Sequence, residues 1–408
     1  MGVLSTLTTE TLDSIFSRAT HNQPLFKNHQ ALESDYVPSH LPFRAQQISS
    51  IGEVIAPILH RSKPSNLLIY GKTGTGKTAV TKYVTSRLKD SCINQKILSS
   101  FVYCNTRLTG TEYRTLAEVA TTIGLKVPFT GLALSELLSR IQQHIKQNTL
   151  QVLLILDEID YLVRALGDDL LYSLTTSADK TAPGSISLIG ISNDLNFKED
   201  LGARVISRLS EEELVFPPYS AEELRTILTE RAGIALRSAS YTNAAVNLCA
   251  ALSGSEHGDA RRAVDLLRVA AEVAEREASQ QLEERHVKIA LQKMDQDRVL
   301  DALKTLPLHA KIVLLATILS CQNERSKSSS GSVYEIYSNL CQQGATEPLT
   351  TRRVSGLLTE LDTLGLVNAT LVNYGRYGRT KKITSQVSLS TATKVFAEDE
   401  TVKHLVPS

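Results

Sequence analysis

The sequence lacks the cysteine spacing that marks metal sites and disulfide frameworks. Its five cysteines stand singly, and no two form a CxxC pair: Cys92, Cys104, Cys249, Cys321 and Cys341. A structural zinc site uses closely spaced ligands and a disulfide scaffold is rich in cysteine, so neither is indicated. A reducing cytoplasm is therefore the expected environment.

Long apolar runs and a strong net charge are also missing. No apolar run approaches the roughly 20 residues that cross a bilayer, so we expect no membrane partner. The N-terminus has no basic region followed by an apolar one, as a secretion signal would. The formal net charge is +1. This value excludes a chain that attracts polyanions over its whole surface, but it allows a local basic face.

The 408 residues, 42% of them hydrophobic, are enough for two or three globular domains. Residues 1–35 are polar and predict an N-terminal arm. In residues 36–219, apolar runs such as "NLLIYG" and "VLLILDE" alternate with helical stretches, which is typical of a parallel α/β domain. Residues 220–298 lack strand runs and predict an all-helical domain. Residues 299–408 predict three helices and a β-hairpin, which together form a winged helix-turn-helix.

Residue spacing predicts details within the last two domains. Ser220 and Glu223 form a capping box ahead of a helix. In "LTTRRVSGLLTELDTLG" the apolar residues share one helix face: Val354, Leu357, Leu358, Leu361 and Leu364. In "KITSQVSL" four alternating residues share one strand face: Ile383, Ser385, Val387 and Leu389.

The stretch "GKTGTGKT" predicts a phosphate-binding loop. It matches G-x-x-x-x-G-K-[ST] in full, follows the apolar run "NLLIY" and opens a helix. Glycines let the backbone wrap a phosphate, and amides at the helix N-terminus point at that anion. The lysine is expected to reach the β- and γ-phosphates, and the final threonine to ligate Mg²⁺. The predicted nucleotide-binding residues are Gly71, Lys72, Thr73, Gly74, Thr75, Gly76, Lys77 and Thr78.

Two carboxylates follow the apolar run "LLIL". Asp157 is predicted to hold Mg²⁺ together with Thr78, and Glu158 to orient the attacking water. The run "LIGIS" is followed by Asn193, whose amide would contact the γ-phosphate or that water. Each residue alone is also typical of a helix cap or a turn, but the phosphate-binding loop favours the catalytic interpretation.

These motifs, together with "RVISRL" and "HGDARRAVDLLR", resemble those of the AAA+ ATPases. The chain is most similar to the archaeal replication initiators related to the origin recognition complex and the cell-division-cycle helicase-loading factor. Further matching stretches are "LPFRAQQI", "GDDLLYSL", "LVFPPYSAEEL" and "LTTRRVSGLLTELDTLGLVNA". The resemblance covers about residues 36–390. It implies an α/β AAA+ P-loop core with an all-helical lid domain and a C-terminal winged-helix domain.

The resemblance also implies roles for individual residues. Asn193 matches the first sensor, and Arg261 in "HGDAR" matches the second, which reaches from the lid to the γ-phosphate. Arg208 stands where related proteins keep the arginine finger that acts on a neighbouring subunit's ATP. Arg204 is a second candidate for that finger. Ion pairing on the surface is the alternative for all three arginines.

Three more nucleotide contacts are implied in the same way. Val37 and Pro38 match the segment that packs near adenine, and Tyr219 lies in the matching stretch "LVFPPYSAEEL". One departure from the family is "VISRL", where many archaeal members have a second serine before the leucine.

Positive charge is concentrated near the C-terminus, where residues 349–382 contain six basic and two acidic residues. Such a surplus fits contact with phosphates. Cations in the first turn of a helix are disfavoured by up to about 1 kcal/mol unless an anion is bound, and recognition helices present this turn to DNA. The glycine-rich tip "NYGRYGR" predicts a wing. The predicted DNA contacts here are Arg352, Arg353, Tyr374, Arg376, Tyr377, Arg379 and Lys381. By resemblance, residues 106–115 add Thr111 and Arg114.

The resemblance therefore implies a replication initiator that uses ATP or ADP with Mg²⁺ and hydrolyses ATP slowly as a switch. The implied partners are double-stranded origin DNA, the MCM helicase and a second initiator paralogue, and the implied location is the cytoplasm at the nucleoid. A transcriptional regulator derived from the same family is an alternative. A clamp-loader-like ATPase is a third interpretation, which the winged helix disfavours.

Overall fold

The computed structural model describes residues 24–128, 131–176, 184–209, 211–256, 258–323, 328–373 and 379–405. Within these ranges the chain divides into two compact units, with the division between Ile289 and Ala290.

The first unit is built on a parallel sheet. Its strands are β1 (Leu67–Gly71), β2 (Ser99–Asn105), β3 (Gln151–Asp157), β4 (Ser185–Ser192) and β5 (Glu212–Phe216), in the order β2-β3-β4-β1-β5. Strands β3 and β4 are buried along their whole length, and alternate residues of β3 belong to separate apolar cores on the two faces. Because parallel strands all end at one edge, the polar residues after β1 to β4 meet there.

Amphipathic helices supply the covering layers. In α5, for example, Leu137, Ile141 and Ile145 are spaced by four residues and are buried. The described helices of this part are α1 (Ala45–Ile55), α2 (Lys77–Asn94), α3 (Thr106–Thr109), α4 (Glu112–Thr122), α5 (Leu134–Gln147), α6 (Ile159–Leu166), α7 (Asp169–Thr176) and α8 (Ala203–Leu209).

A helical lid follows the sheet. It contains α9 (Ala221–Ala235), α10 (Asn243–Glu256), α11 (Ala260–Arg276) and the start of α12 (Glu284–Thr305), a helix that crosses the division between the two units. The capping box of Ser220 and Glu223 forms as predicted at the start of α9. The described part of the N-terminal arm packs on this lid, because the amides of Leu25 and Phe26 donate to one carboxylate oxygen of Glu275 at 2.7 and 3.3 Å.

The second unit is a winged helix. Its helices after α12 are α13 (Leu308–Asn323), α14 (Ser330–Gln343), α15 (Thr351–Thr363) and α16 (Leu389–Phe396). Its antiparallel sheet consists of β6 (Ser328–Ser329), β7 (Val367–Asn373) and β8 (Arg379–Ser385), in the order β6-β8-β7. Within the described ranges, no helix is both long and apolar enough to span a bilayer.

Two details predicted for this unit are wrong. Leu364 is 55% exposed, because α15 ends at Thr363 and the chain turns at Gly365, which has a φ of 72°. Leu389 does not continue a strand. Strand β8 ends at Ser385. The side chain of Ser388 accepts a hydrogen bond from the amide of Thr391, and this cap starts α16 at Leu389.

Candidate nucleotide site and DNA interface

The phosphate-binding loop joins β1 to α2, and two of its glycines are required by its geometry. Gly74 and Gly76 have φ values of 72° and 91°, in the left-handed region that favours glycine. A Cβ atom on Gly74 would lie 1.7 Å from an oxygen of Asp259, and one on Gly76 would lie 2.9 Å from the hydroxyl of Tyr219. A side chain at either position would therefore adopt a disfavoured backbone conformation and force the side chain of Asp259 or Tyr219 to move.

Lys77, in the first turn of α2, is buried within the loop. Its ammonium group donates to the carbonyl oxygens of Gly71 and Lys72, at 2.8 Å each. Burial lowers the pKa of Lys77 to about 8, because the charged form loses hydration. Lys72 and Thr73 are exposed, whereas Thr75 is buried and its hydroxyl donates to the carbonyl of Lys72 at 2.9 Å. A phosphate in this loop would therefore meet a buried lysine and a ring of backbone amides.

Thr78 and Asp157 come together as a candidate magnesium site. The hydroxyl of Thr78 donates to Oδ2 of Asp157 at 2.8 Å, and Asp157 is 6% exposed. A hydroxyl and a carboxylate are the hard oxygen ligands that Mg²⁺ prefers, with phosphates and water completing the shell. The described residues include no cluster of three or more His, Cys, Asp or Glu that could hold a metal alone. The donor set thus fits a nucleotide-associated Mg²⁺.

Glu158 is held by residues at the end of β2. Asn105 Nδ2 donates to Glu158 Oε1 at 3.1 Å, and Arg107 Nη1 lies 3.7 Å from Oε2. The hydroxyl of Thr106 donates to the carbonyl of Glu158 at 2.6 Å. Glu158 itself has a φ of 55°. In this arrangement the carboxylate is engaged by Asn105 and Arg107.

Sequence reasoning did not find the residues of β2. The available signal was their period of two, since Tyr103 and Asn105 point to the same side of the strand. In the sheet, Asn105 pairs with Asp157 and Tyr103 with Ile155. The Tyr103 hydroxyl donates to Asp157 Oδ2 at 2.7 Å, and burial together with this hydrogen bond raises the pKa of Tyr103.

Asn193, the predicted first sensor, follows β4 at the same edge. The backbone amide of Asn193 donates to Asp160 Oδ1 at 3.4 Å, and the hydroxyl of Ser192 donates to the same oxygen at 3.1 Å. The exposed Asn193 side chain lines the same cavity as Lys77, Glu158 and Arg261.

The lid reaches the phosphate-binding loop through the start of α11. The amide of Ala260 donates to the carbonyl of Gly74 at 3.0 Å, and Asp259 caps the helix by accepting from the amide of Arg262 at 3.0 Å. Arg261 therefore enters the cavity from the first turn of α11, and its charge acts on the pKa of Lys77.

The cavity has a volume of about 560 Å³, and its far wall is formed by the segment before α1 and by α9. Val37 and Pro38, the predicted neighbours of adenine, lie on this wall, and α9 contributes Ile227 and Ile234 to it. Arg231 was not predicted. Its guanidinium donates to the carbonyls of Ala31 and Tyr36 at 2.9 and 3.1 Å.

Arg44 falls in the matching stretch "LPFRAQQI", but the sequence assigned no role to it. It is 2% exposed, and it donates to the carbonyls of Thr75 at 3.0 Å and Pro217 at 2.7 Å. Its guanidinium lies 3.8 Å from the ring centre of Tyr219, which also lines the cavity. These partners are 31 and 173 residues away in the chain, so no local pattern predicts them.

The two candidate arginine fingers do not line this cavity. Arg204 and Arg208 lie on α8 and are exposed, and the Arg208 guanidinium is 5.9 Å from the ring centre of Tyr172. The structure therefore does not bring them to the ATP site of their own chain.

In the second unit, Arg352 and Arg353 on α15 are exposed, and Lys381 on β8 is partly exposed. Thr350 caps α15, with Arg352 and Arg353 in the first turn. Arg353 Nη1 lies 3.9 Å from Glu360 Oε1, which makes a long ion pair on the exposed surface. Lys381 donates to the hydroxyl of Thr359 at 2.7 Å. This hydrogen bond joins β8 to the exposed side of α15.

Several predicted contacts of the wing fall on residues that the structure does not describe. Tyr374, Arg376 and Tyr377 lie outside the described ranges. Arg379 begins β8, but its side chain also lies outside the described part.

The predicted second DNA-binding element follows β2 in the first unit. Thr111 caps α4 by accepting from the amide of Arg114 at 3.3 Å, and Arg114 is exposed. Arg107, which the sequence did not single out, has a side chain that is 70% exposed in the same element.

Family comparisons agree with this architecture. The family described as "AAA domain" matches residues 60–197, the "Cdc6 AAA+ ATPase-type lid domain" matches residues 225–292, and the "CDC6, C terminal winged helix domain" matches residues 301–395. The fold and the nucleotide site define an AAA+ ATPase with a helical lid and a C-terminal winged helix.

Relatives that match almost the whole chain show which family of AAA+ ATPases it resembles. The ORC1-type DNA replication protein of Thermococcus kodakarensis is 45% identical over 399 residues, which cover 97% of this chain and 96% of the relative. ORC1-type DNA replication protein 1 of Sulfurisphaera tokodaii is 44% identical over 389 residues, or 95% and 97% of the two chains. The structure of the Aeropyrum pernix ORC1 protein in complex with DNA has a TM-score of 0.81 and 42% identity, covering 93% and 98%.

The chain belongs to the family of ORC1-type DNA replication proteins. The predicted fold class and the predicted kinship with archaeal replication initiators are confirmed.

Proposed function

We propose that this chain binds duplex DNA at replication origins and uses slow ATP hydrolysis as a switch on the recruitment or loading of the MCM helicase. The observation that carries the proposal is the presence of an ATPase site and a winged helix in one chain of the ORC1-type family. A second initiator paralogue is proposed as a further partner. This role would place the protein at the nucleoid in the cytoplasm.

The nucleotide chemistry is assigned to residues around the cavity. Lys77 and the amides of residues 72–78 would bind the phosphates, and Thr78 with Asp157 would hold Mg²⁺, which neutralises phosphate charge when bound. Glu158 would orient the attacking water once Asn105 and Arg107 release it.

Two roles in the proposed ATPase chemistry are assigned to arginines. Arg261 enters the cavity from the lid and would stabilise charge on the γ-phosphate together with Asn193. Arg208, with Arg204 as the alternative, would act on the ATP of a neighbouring subunit, because both are exposed and lie away from their own cavity.

The proposed DNA contacts come from both units. In the second unit, Arg352, Arg353 and Lys381 would contact the duplex, with the wing that carries Arg376 and Arg379. In the first unit, Thr111 and Arg114 would form a second contact. The 42% identical Aeropyrum ORC1, whose structure is in complex with DNA, supports this assignment.

Genome-wide mapping of bound DNA, with the natural chain and with Glu158→Gln, tests the proposal. We expect binding at origins in both cases, and a changed association of MCM with those sites when hydrolysis is blocked. Binding confined to promoters, without MCM at the same sites, would instead support the transcriptional regulator. A Glu136→Gln variant, on an exposed helix face of the same unit, is the matched control.

A further inference from the structure

The carboxylate of Asp157 is held at both of its oxygens. Oδ2 accepts from the Thr78 hydroxyl at 2.8 Å and from the Tyr103 hydroxyl at 2.7 Å. Oδ1 accepts from the amide of Glu158 at 3.0 Å. Three donors from three segments therefore fix the plane of one carboxylate, and Tyr103 is the donor that the proposed nucleotide chemistry does not use.

Tyr103 is itself fixed by its surroundings. It lies on β2 opposite Ile155, so its hydroxyl reaches along the sheet toward Asp157, two residues further on β3. The ammonium of Lys82, from α2, lies 4.2 Å from the centre of the ring. Both side chains line the cavity. The hydroxyl therefore presents a hydrogen-bond donor to Asp157 from a ring that strand and helix hold in place.

We propose that Tyr103 is a positioning residue for the nucleotide-associated magnesium ion, and that it sets the Mg²⁺ concentration needed for ATP binding by fixing Asp157. The inference rests on the proposed function of the cavity. Partners that orient a metal-binding carboxylate contribute strongly to metal affinity, and their loss typically costs about 10- to 100-fold.

Two opposing effects act when the phenol is removed. The carboxylate of Asp157 regains rotational freedom, and this weakens Mg²⁺ binding. It also loses a hydrogen-bond donor that withdraws negative charge, and this strengthens Mg²⁺ binding. Mg²⁺ in nucleotide sites takes much of its neutralisation from phosphate oxygens and demands near-ideal octahedral geometry. Orientation is therefore expected to dominate, and because two of three donors remain, a loss of about tenfold is expected.

The test is Tyr103→Phe in the full chain, which removes a single oxygen. ATP affinity is measured by titration calorimetry across a series of Mg²⁺ concentrations and in EDTA, and folding is checked by circular dichroism. We expect the half-saturating Mg²⁺ concentration to rise about tenfold, with affinity in EDTA unchanged. Tyr83→Phe, on α2 beside Arg87, is the matched control and leaves the Mg²⁺ curve unchanged.

Asp157→Asn provides the upper limit of the shift. An unchanged or lower Mg²⁺ requirement in Tyr103→Phe would overturn the inference, as would an equal loss of affinity with Mg²⁺ and in EDTA, which would mean that Tyr103 shapes the site rather than positions the carboxylate. If the natural chain bound no ATP at any Mg²⁺ concentration, the proposed function itself would fall. The two failures are therefore distinguishable.

Discussion

The nucleotide site and the exposed side of α15 hold their charges in opposite ways. Lys77 and Asp157 are 4% and 6% exposed, and each makes at least two hydrogen bonds shorter than 3 Å. Arg352 and Arg353 are exposed, and the approach of Arg353 to Glu360 is 3.9 Å. The first arrangement fixes atoms for chemistry. The second leaves the charges hydrated, as we propose for residues that contact DNA.

This difference predicts how each region responds to change. A buried charge whose partners are removed cannot be compensated by solvent, so effects in the nucleotide site are large and nearly independent of salt. Exposed charges are screened, so effects on the surface of α15 are graded and depend on salt.

The largest expected effect is on ATP binding. Lys77→Ala should lower ATP affinity by more than about 100-fold, since truncating one partner of a buried charge pair costs several kcal/mol. Calorimetric titration measures this decrease. Lys89→Ala, an exposed lysine of α2 outside the loop, is the control and should have little effect. Unchanged ATP affinity in Lys77→Ala would reject the site.

A smaller but salt-dependent effect is expected on DNA binding. The double variant Arg352→Ala, Arg353→Ala should weaken duplex binding about 10- to 100-fold and reduce the slope of log K against log salt by about 2, because each arginine would neutralise one phosphate. Fluorescence anisotropy over a salt series measures both. Arg298→Ala, an exposed arginine of the same unit, is the control. An unaltered slope would mean that these arginines do not bind phosphate.

Tyr337, a buried residue of the second unit, extends this comparison between buried and exposed groups. The Tyr337 hydroxyl accepts from the amide of Leu349 at 3.0 Å and bonds to His309 at 2.8 Å, just before α15 begins. Tyr337→Phe should cost about 1–3 kcal/mol of unfolding free energy, because it removes two hydrogen bonds, each worth about 0.5–1.5 kcal/mol.

Denaturant unfolding measures this cost. Tyr334→Phe is the matched control, because the half-buried Tyr334 hydroxyl donates to the carbonyl of Leu349 at 3.2 Å and water can replace it. Equal effects of the two variants would show that burial does not distinguish these hydrogen bonds.

The smallest effect is expected at an ion pair of the second unit. Lys311 and Asp399 are 2.6 Å apart, and hydrogen bonds from Lys311 and Thr401 lower the pKa of Asp399 to about 2. A depressed carboxyl pKa stabilises the fold above its ordinary value of 3.8, and this contribution is lost as pH falls toward 2.

Asp399→Asn should therefore cost about 1 kcal/mol at neutral pH and progressively less as the pH falls toward the pKa of Asp399. Scanning calorimetry at several pH values measures the difference from the natural chain. A difference that stays constant with pH would show that the pair is not the cause. Lys403→Gln, in an exposed pair with Glu400, is the control.

Most of the fold was predictable because it depends on local patterns. The buried strands β3 and β4, the capping box at Ser220 and the apolar face of α15 follow from periods of two or 3.6 residues and from helix-start residues. The errors lie at element ends. Leu364 and Leu389 continue their patterns in sequence, but the turn at Gly365 and the cap at Ser388 decide where the elements stop.

The sequence by itself determined the phosphate-binding loop, the two acids at the end of β3 and the basic start of α15, because each depends on neighbouring residues whose spacing sets backbone conformation. Only the tertiary structure brought Tyr103 to Asp157, 54 residues away, and Arg44 to Pro217, 173 residues away. Strand pairing and burial create those hydrogen bonds, and the local sequence does not show which distant segment each residue will meet. The residues that carry the chemistry are therefore readable from the chain, whereas those that hold them in place are decided by packing.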